Sequence, residues 1–119
     1  MIIEESLDDK KPLKLVKIVN TRQTTLEKEE GKGILHFHEI EVQNDKKDNF
    51  VQISESSIKH GWYIHIVKNG EMIVVFKNKI FSFRKSDKNS IEKAKNYGVS
   101  IGILREQMDF KNLIGDPWD

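Results

Sequence analysis

Residues 62–76 read WYIHIVKNGEMIVVF, two apolar runs separated by the pair Asn69-Gly70. An Asn-Gly pair readily adopts the positive φ angles of a type I′ turn, so the segment predicts a β-hairpin. With these two residues as the loop, Lys68 faces Glu71, and apolar residues of the two strands face each other beyond them. This register pairs opposite charges beside the turn and apolar side chains further away, and both kinds of pair stabilise neighbouring strands.

The hairpin is predicted to continue into a third strand. Lys77–Lys79 is short enough for a tight connection, and the apolar run Ile80–Phe83 follows it. Both faces of the hairpin carry apolar side chains, and a strand pair that is apolar on both sides belongs in the middle of a fold. The sequence therefore predicts an antiparallel meander as the structural centre.

Further strands are predicted before the hairpin. Leu13–Val19 and Ile34–Val42 are rich in β-branched residues, which favour a pleated, half-buried strand. Phe50–Ile53 is a candidate for another short strand. Together with the meander these segments predict an antiparallel sheet of about five strands.

Helices are predicted after the meander. Asn89 and Glu92 resemble a capping box, and the apolar residues that follow recur at helical spacing, which predicts a helix over about Ser90–Tyr97. Gly98 suits a left-handed C-cap, and Leu104–Phe110 predicts a second short helix.

The predicted fold class is therefore α+β, an antiparallel sheet covered on one face by a C-terminal helical segment. The other face of the central hairpin also needs a cover, and two alternatives stay open. Either the sheet curls into a partial barrel, or two chains pack sheet to sheet as a homodimer.

The length of 119 residues is typical of one domain. Residues 1–11 include four acids and show little apolar periodicity, so we expect a flexible acidic leader. A single α+β domain is predicted over residues 12–110. Residues 111–119 include Trp118 and other apolar side chains, which predicts a docked C-terminal tail.

The composition excludes several classes of site. Lys plus Arg total 20 and Asp plus Glu total 19, and this near balance selects neither nucleic acid nor membrane as a partner. The absence of cysteine excludes disulfides, thiolate metal sites and a cysteine nucleophile. No run approaches the roughly 20 apolar residues of a membrane helix, and the first residues turn acidic too early for a signal peptide. We therefore expect a cytoplasmic location.

Histidines supply one candidate site. His36 and His38 lie two apart in a predicted strand and project from the same face, which could offer two imidazoles to a divalent metal ion such as zinc. His65 could join them through folding. The alternative is that His36 and His38 lie on a partly solvated face and that His65 is a hydrogen-bonded core residue.

Charge segregation supplies the other candidate site. The stretch 77–95 contains seven basic residues and two acidic ones. Its candidate binding residues are Lys77, Lys79, Arg84, Lys85 and Lys88, to which we add Trp118 as an apolar contact. Such a patch could orient a protein partner, promote self-association or contact phosphates. The alternative is a solvated surface, because no aromatic and basic residues interleave as they do in nucleic-acid-binding motifs.

The sequence contains no glycine-rich phosphate loop, nucleophile elbow or His-Glu-x-x-His pattern. The first hypothesis for function is therefore a non-catalytic binding or protein-interaction module. The second is a metal-binding protein or small metal-dependent enzyme that uses His36 and His38. The third is a weak nucleic-acid binder that uses the basic stretch 77–95.

Overall fold

A computed structural model describes residues 1–26 and 29–116 of the protein. Its strands are β1 (Ile2–Ile3), β2 (Lys17–Thr24), β3 (Leu35–Glu41), β4 (Ile64–Lys68), β5 (Glu71–Phe76) and β6 (Lys79–Arg84). Its helices are α1 (Lys11–Lys14), α2 (Lys47–Ser57), α3 (Lys88–Ser100) and α4 (Phe110–Gly115). The fold is α+β, as the sequence predicts.

The strands form two antiparallel sheets of three strands each, in the orders β1-β3-β2 and β4-β5-β6. The prediction of one sheet with about five strands is therefore wrong. The described strands form no closed barrel. The sheets meet where the Met1 nitrogen donates a hydrogen bond to the His65 carbonyl at 2.7 Å. Strand β1 has two residues, which pair with β3 of the first sheet.

The central meander is confirmed. Lys68 pairs with Glu71 and Ile66 with Ile73, as the Asn-Gly turn requires. Asn69 and Gly70 have φ angles of 51° and 79°, the positive values of the predicted turn. Strand β6 then pairs antiparallel with β5.

Upstream of the meander, the structure corrects two predicted strands. The first begins at Lys17 rather than Leu13, because Pro12 opens the short helix α1. Phe50–Ile53 lies inside helix α2. The buried residues of this helix recur at helical rather than alternating spacing, since Phe50, Ser54 and Ser57 share one side.

Each face of the β4-β5-β6 sheet has its own hydrophobic core. On one face, strands β5 and β6 pack against helix α3 and the C-terminal segment. The buried residues of this first core are Met72, Val74, Phe76, Phe83, Ile91, Ala94, Ile103, Met108, Phe110, Leu113 and Ile114. On the other face, the amino-terminal segment and α2 contribute to a cluster of Ile2, Leu7, Phe50, Val51, Ile58, Ile64 and Val75. The same chain therefore covers the second face, and the packing argument for a barrel or a second chain no longer holds.

Both ends of the described chain pack against the rest of the molecule. Ile2, expected in a flexible leader, is fully buried in β1 and pairs with His38. Leu7 forms an isolated bridge with Ile58. In the expected tail, Leu113 belongs to the first core, whereas Trp118 lies outside the described residues.

Gly98 does not cap helix α3 as predicted. It lies buried within the helix, where an added Cβ would collide with the Met108 side chain and come within 3.5 Å of Phe76. The helix ends at Ser100, and the positive φ angle that favours glycine is found at Gly102, at 95°. The predicted second helix is also displaced, because a 3-10 turn at Arg105–Gln107 precedes α4.

No described helix combines the length and the apolar character that crossing a membrane would require.

Candidate functional site

The structure pairs His36 and His38 with two adjacent glutamates of the amino-terminal segment. The His36 Nδ1 atom lies 2.6 Å from Glu5 Oε2, and the His36 backbone N–H donates to Glu5 Oε1 at 2.7 Å. The His38 Nε2 atom lies 2.9 Å from Glu4 Oε1. A 3-10 turn at Glu4–Ser6 presents both carboxylates to strand β3.

His38 has a second partner. Its Nδ1 atom lies 2.8 Å from the Thr21 hydroxyl of strand β2. An ionised carboxylate can only accept, so the pairing with Glu4 places the proton of a neutral imidazole on Nε2 and leaves Nδ1 to accept from Thr21. Both nitrogens of this buried imidazole are therefore engaged, and neither presents a lone pair to a metal ion.

His65 lies apart from this arrangement. It is buried in β4, with its ring centroid 6.0 Å from that of Tyr63. Over residues 1–26 and 29–116, no group of three or more His, Cys, Asp or Glu side chains could hold a metal ion. The predicted metal residues thus fall into two histidine–glutamate pairs and a separate core histidine.

The environment of Glu5 favours its ionised form. Partial burial alone would raise the pKa of this carboxyl, but the hydrogen bonds from the His36 backbone and imidazole outweigh burial and lower the pKa below its ordinary value of 4.5. A carboxyl whose pKa is lower in the folded state than in the unfolded state stabilises the fold at pH values above its ordinary pKa. That contribution disappears as the pH falls through the lowered pKa.

We expect the change Glu5→Gln to lower the free energy of unfolding at neutral pH by at most about 1 kcal/mol, the range of a solvent-exposed ion pair. The difference from wild type should shrink as the pH falls below 4.5, because the wild-type carboxyl then also loses its charge. Urea unfolding followed by circular dichroism, repeated along a pH series, measures this. The change Asp45→Asn at an exposed acid is the control. A difference that stays constant down to strongly acidic pH would contradict the role assigned to Glu5.

The five predicted basic residues of the stretch 77–95 lie on β6, in the turns on either side of it and at the start of helix α3. Lys77 Nζ donates to the Ser56 carbonyl at 2.5 Å, and Arg84 Nη1 donates to the Asn69 carbonyl at 3.1 Å. The ammonium of Lys79 lies 5.5 Å from the centroid of the Phe81 ring. Lys85 and Lys88 are exposed to solvent. Three of the five predicted basic residues thus contact their own chain, and Trp118 cannot be placed beside them because it lies outside the described residues.

Two clefts flank the junction of the sheets, and Met1 and His65 line both. One has a volume of about 490 Å³ and lies between the ends of β3 and β4, where Ile40 and Ile66 line it together with charges of both signs. None of its described lining residues is Phe, Tyr or Trp. The other has a volume of about 450 Å³ and is lined by Phe37, Trp62 and Tyr63. We call this second one the aromatic cleft.

Core contacts hold the Tyr63 ring of the aromatic cleft in place. Its hydroxyl donates to the Gln107 carbonyl at 2.6 Å, and its ring makes an edge-on contact with Phe110 at a centroid distance of 5.5 Å. Burial raises the pKa of Tyr63 well above its ordinary value, and the charge of Asp109 adds to the effect. The hydroxyl therefore keeps its proton and its hydrogen bond at neutral pH.

The charged side chains of the aromatic cleft are segregated by sign. Strand β2 and the connection after it contribute Arg22 and Lys32. The Arg22 guanidinium lies 5.5 Å from the Phe37 ring centroid, and the Lys32 ammonium lies 4.4 Å from that of Trp62. The C-terminal segment contributes the acids Glu106 and Asp109. We refer to these two sides as the basic wall and the acidic wall.

A hydrogen bond joins the two walls. The Gln107 side-chain amide donates to Glu29 Oε1 at 2.6 Å, across 78 residues of sequence. The other oxygen of the same Glu29 carboxylate forms an ion pair with Lys32 at 2.9 Å. These two contacts of Glu29 connect Lys32 of the basic wall to the C-terminal segment in the folded chain.

Sequence reasoning missed this cleft. Trp62 and Tyr63 were assigned only to the apolar faces of the hairpin, and Arg22 and Lys32 lie in stretches with no binding motif. The walls come from segments about 80 residues apart in the chain, as the pairing of Glu29 with Gln107 illustrates. No spacing of residues within either segment predicts that the two segments lie side by side in the fold.

Comparison with known proteins found no match. Neither a protein-family model, nor a curated protein, nor a solved structure resembles the chain. The chemistry of the site itself therefore has to support any proposal about function.

Proposed function

We propose that the protein is a non-catalytic binding module whose ligand occupies the aromatic cleft. The observation that supports this most is the meeting of three aromatic residues, Phe37, Trp62 and Tyr63, in one cleft of about 450 Å³. Binding sites for small molecules typically have volumes of this order, with apolar and aromatic walls and a few polar groups that orient the ligand.

One side of the cleft is suited to binding because contacts within the chain hold its Tyr63 ring in place before a ligand arrives. Tyr63 is tied to the C-terminal segment through Gln107, and Phe110 packs on its ring. A site that is already ordered loses little conformational entropy when it binds, which favours affinity.

The polar groups of the cleft are suited to orienting a ligand. Burial raises the pKa of Tyr63, so its hydroxyl stays protonated at neutral pH and cannot accept a proton as a phenolate would. Arg22 and Lys32 lie against aromatic rings, a position in which a cation keeps its charge and can bind an anionic group. These properties favour recognition over catalysis.

Tryptophan fluorescence tests the proposal. The chain has two tryptophans, so the change Trp118→Phe leaves Trp62 as the only one. We expect anilinonaphthalene sulfonate, a probe with an aromatic body, to bind this variant saturably at one site and to quench Trp62.

A blocking variant with a matched control locates the probe. Thr24 lines the aromatic cleft, and its neighbour Gln23 is exposed on the other face of β2. We expect Thr24→Phe to fill part of the cleft and abolish the quenching, and Gln23→Phe to preserve it. Quenching that both variants preserve, or a probe that never saturates, would refute the proposed function.

A further inference from the structure

We infer that the ligand of the aromatic cleft is a small dipolar ion, with an anionic group at one end, an apolar body and a cationic group at the other. Short peptides and amino acids whose charges flank an apolar body belong to this class. The inference rests on the proposed function and adds the chemistry of the ligand to it. Its basis is the segregation of positive and negative side chains on the two walls.

The basic wall is suited to an anionic group. The Arg22 guanidinium has five N–H donors, so it can bind a carboxylate in addition to the contacts that it already makes. The Lys32 ammonium has three donors, and among residues 1–26 and 29–116 it forms an ion pair with Glu29. The hydroxyls of Thr24 and Thr25 line the same side and can donate further hydrogen bonds.

The acidic wall is suited to a cationic group. Glu106 and Asp109 line the cleft from the C-terminal segment. Burial raises the pKa of Tyr63, and the negative charge of Asp109 adds to that effect, so this carboxylate lies near an aromatic residue of the cleft and would attract a ligand cation bound there. A carboxylate accepts several hydrogen bonds, so Glu106 can bind a ligand ammonium group in addition to the contacts that it already makes.

The two walls together discriminate between ligands by charge. A ligand with only an anionic group is attracted by the basic wall but repelled by Glu106 and Asp109. A ligand with only a cationic group is attracted by the acidic wall but repelled by Arg22 and Lys32. A dipolar ion gains from both walls, and its apolar body covers the rings between them. Juxtaposing like charges costs affinity, so the arrangement selects against singly charged ligands.

Three matched probes test the inference: 4-(aminomethyl)benzoate, which carries both charges, 4-methylbenzoate, which lacks the cation, and 4-methylbenzylamine, which lacks the anion. We expect isothermal titration calorimetry to show the dipolar probe binding about tenfold more tightly than either singly charged one, the effect of one additional charge-assisted hydrogen bond. The preference should weaken as salt is added, because the cleft is open to solvent.

Two variants assign the charges to the walls. We expect Arg22→Gln to weaken binding of 4-(aminomethyl)benzoate and 4-methylbenzoate without weakening that of 4-methylbenzylamine. Glu106→Gln should weaken binding of the two amines without weakening that of 4-methylbenzoate. Circular dichroism establishes that both variants are folded.

The outcomes separate this inference from the proposed function. If 4-methylbenzoate or 4-methylbenzylamine binds as tightly as 4-(aminomethyl)benzoate, or if none of the three binds although anilinonaphthalene sulfonate does, the inference is overturned and the binding cleft stands. If anilinonaphthalene sulfonate also fails to bind in the cleft, the proposed function fails and the inference falls with it.

Discussion

Replacing Phe76 with alanine should lower the free energy of unfolding by about 3–5 kcal/mol, a large part of the stability of a small domain. Phe76 is fully buried at the end of β5. Its ring contacts those of Tyr63, Phe81 and Tyr97, at centroid distances of 5.1–6.1 Å. Alanine would leave a cavity among three rings that are anchored in different elements, so the surroundings cannot collapse to fill it.

Urea unfolding followed by circular dichroism measures this loss. The change Ile80→Ala is the control, because Ile80 is a large apolar residue of the same sheet but is 38% exposed. If Phe76→Ala does not fold, Phe76→Leu keeps most of the volume and should still cost more than Ile80→Ala. Equal losses for the Phe76 and Ile80 variants would contradict the position of Phe76 at the centre of the first core.

Replacing Phe50 with alanine should also cost about 3–5 kcal/mol. Phe50 is fully buried in helix α2 and belongs to the cluster that covers the second face of the β4-β5-β6 sheet. In the described part of the chain, Phe50 is the only aromatic residue among the buried members of that cluster, and removing its ring would weaken the packing of α2 against Ile64 and Val75 of the sheet.

The control for Phe50 lies two residues away on the same helix. Gln52 is exposed, and alanine has a slightly higher helix propensity than glutamine, so Gln52→Ala should leave stability unchanged or raise it slightly. Thermal unfolding of the two variants gives the comparison. A Phe50→Ala protein that melts at the temperature of Gln52→Ala would show that α2 does not cover this face.

The sequence was most informative where a local signal determines structure. The Asn69-Gly70 turn requires positive φ angles, which fix the turn type and with it the register of the hairpin. The helical spacing of apolar residues after Arg84 likewise predicted α3. The predicted capping box is wrong, because Asn89 lies inside the helix, whose N-cap is Asp87, and the helix is longer than expected, from Lys88 to Ser100.

Predictions were wrong where tertiary contacts override a local preference. Gly98 resembles a helix cap in sequence, but it lies within α3, where a Cβ would require the end of the Met108 side chain to move. Phe50–Ile53 resembles a short strand, but it lies in a helix whose burial against Ile64 and Val75 comes from distant sequence. Neither contact could be predicted from the residue pattern of the segment itself.

The same reasoning explains what could be predicted of the candidate sites. The shared face of His36 and His38 follows from their spacing in a strand, but their partners Glu4 and Glu5 come from a segment that composition alone assigns to a loose leader. The aromatic cleft depends on three segments that meet only in the folded chain. Its charge segregation is therefore a property of the tertiary structure.

Amide chemical-shift mapping during a titration with anilinonaphthalene sulfonate tests the central claim most directly, because it locates the bound probe residue by residue. We expect the largest shifts at Phe37, Tyr63 and Gln107, which line the aromatic cleft. Shifts concentrated at Ile40 and Val67, in the cleft between β3 and β4, would contradict the claim, as would saturating binding that leaves both clefts unperturbed.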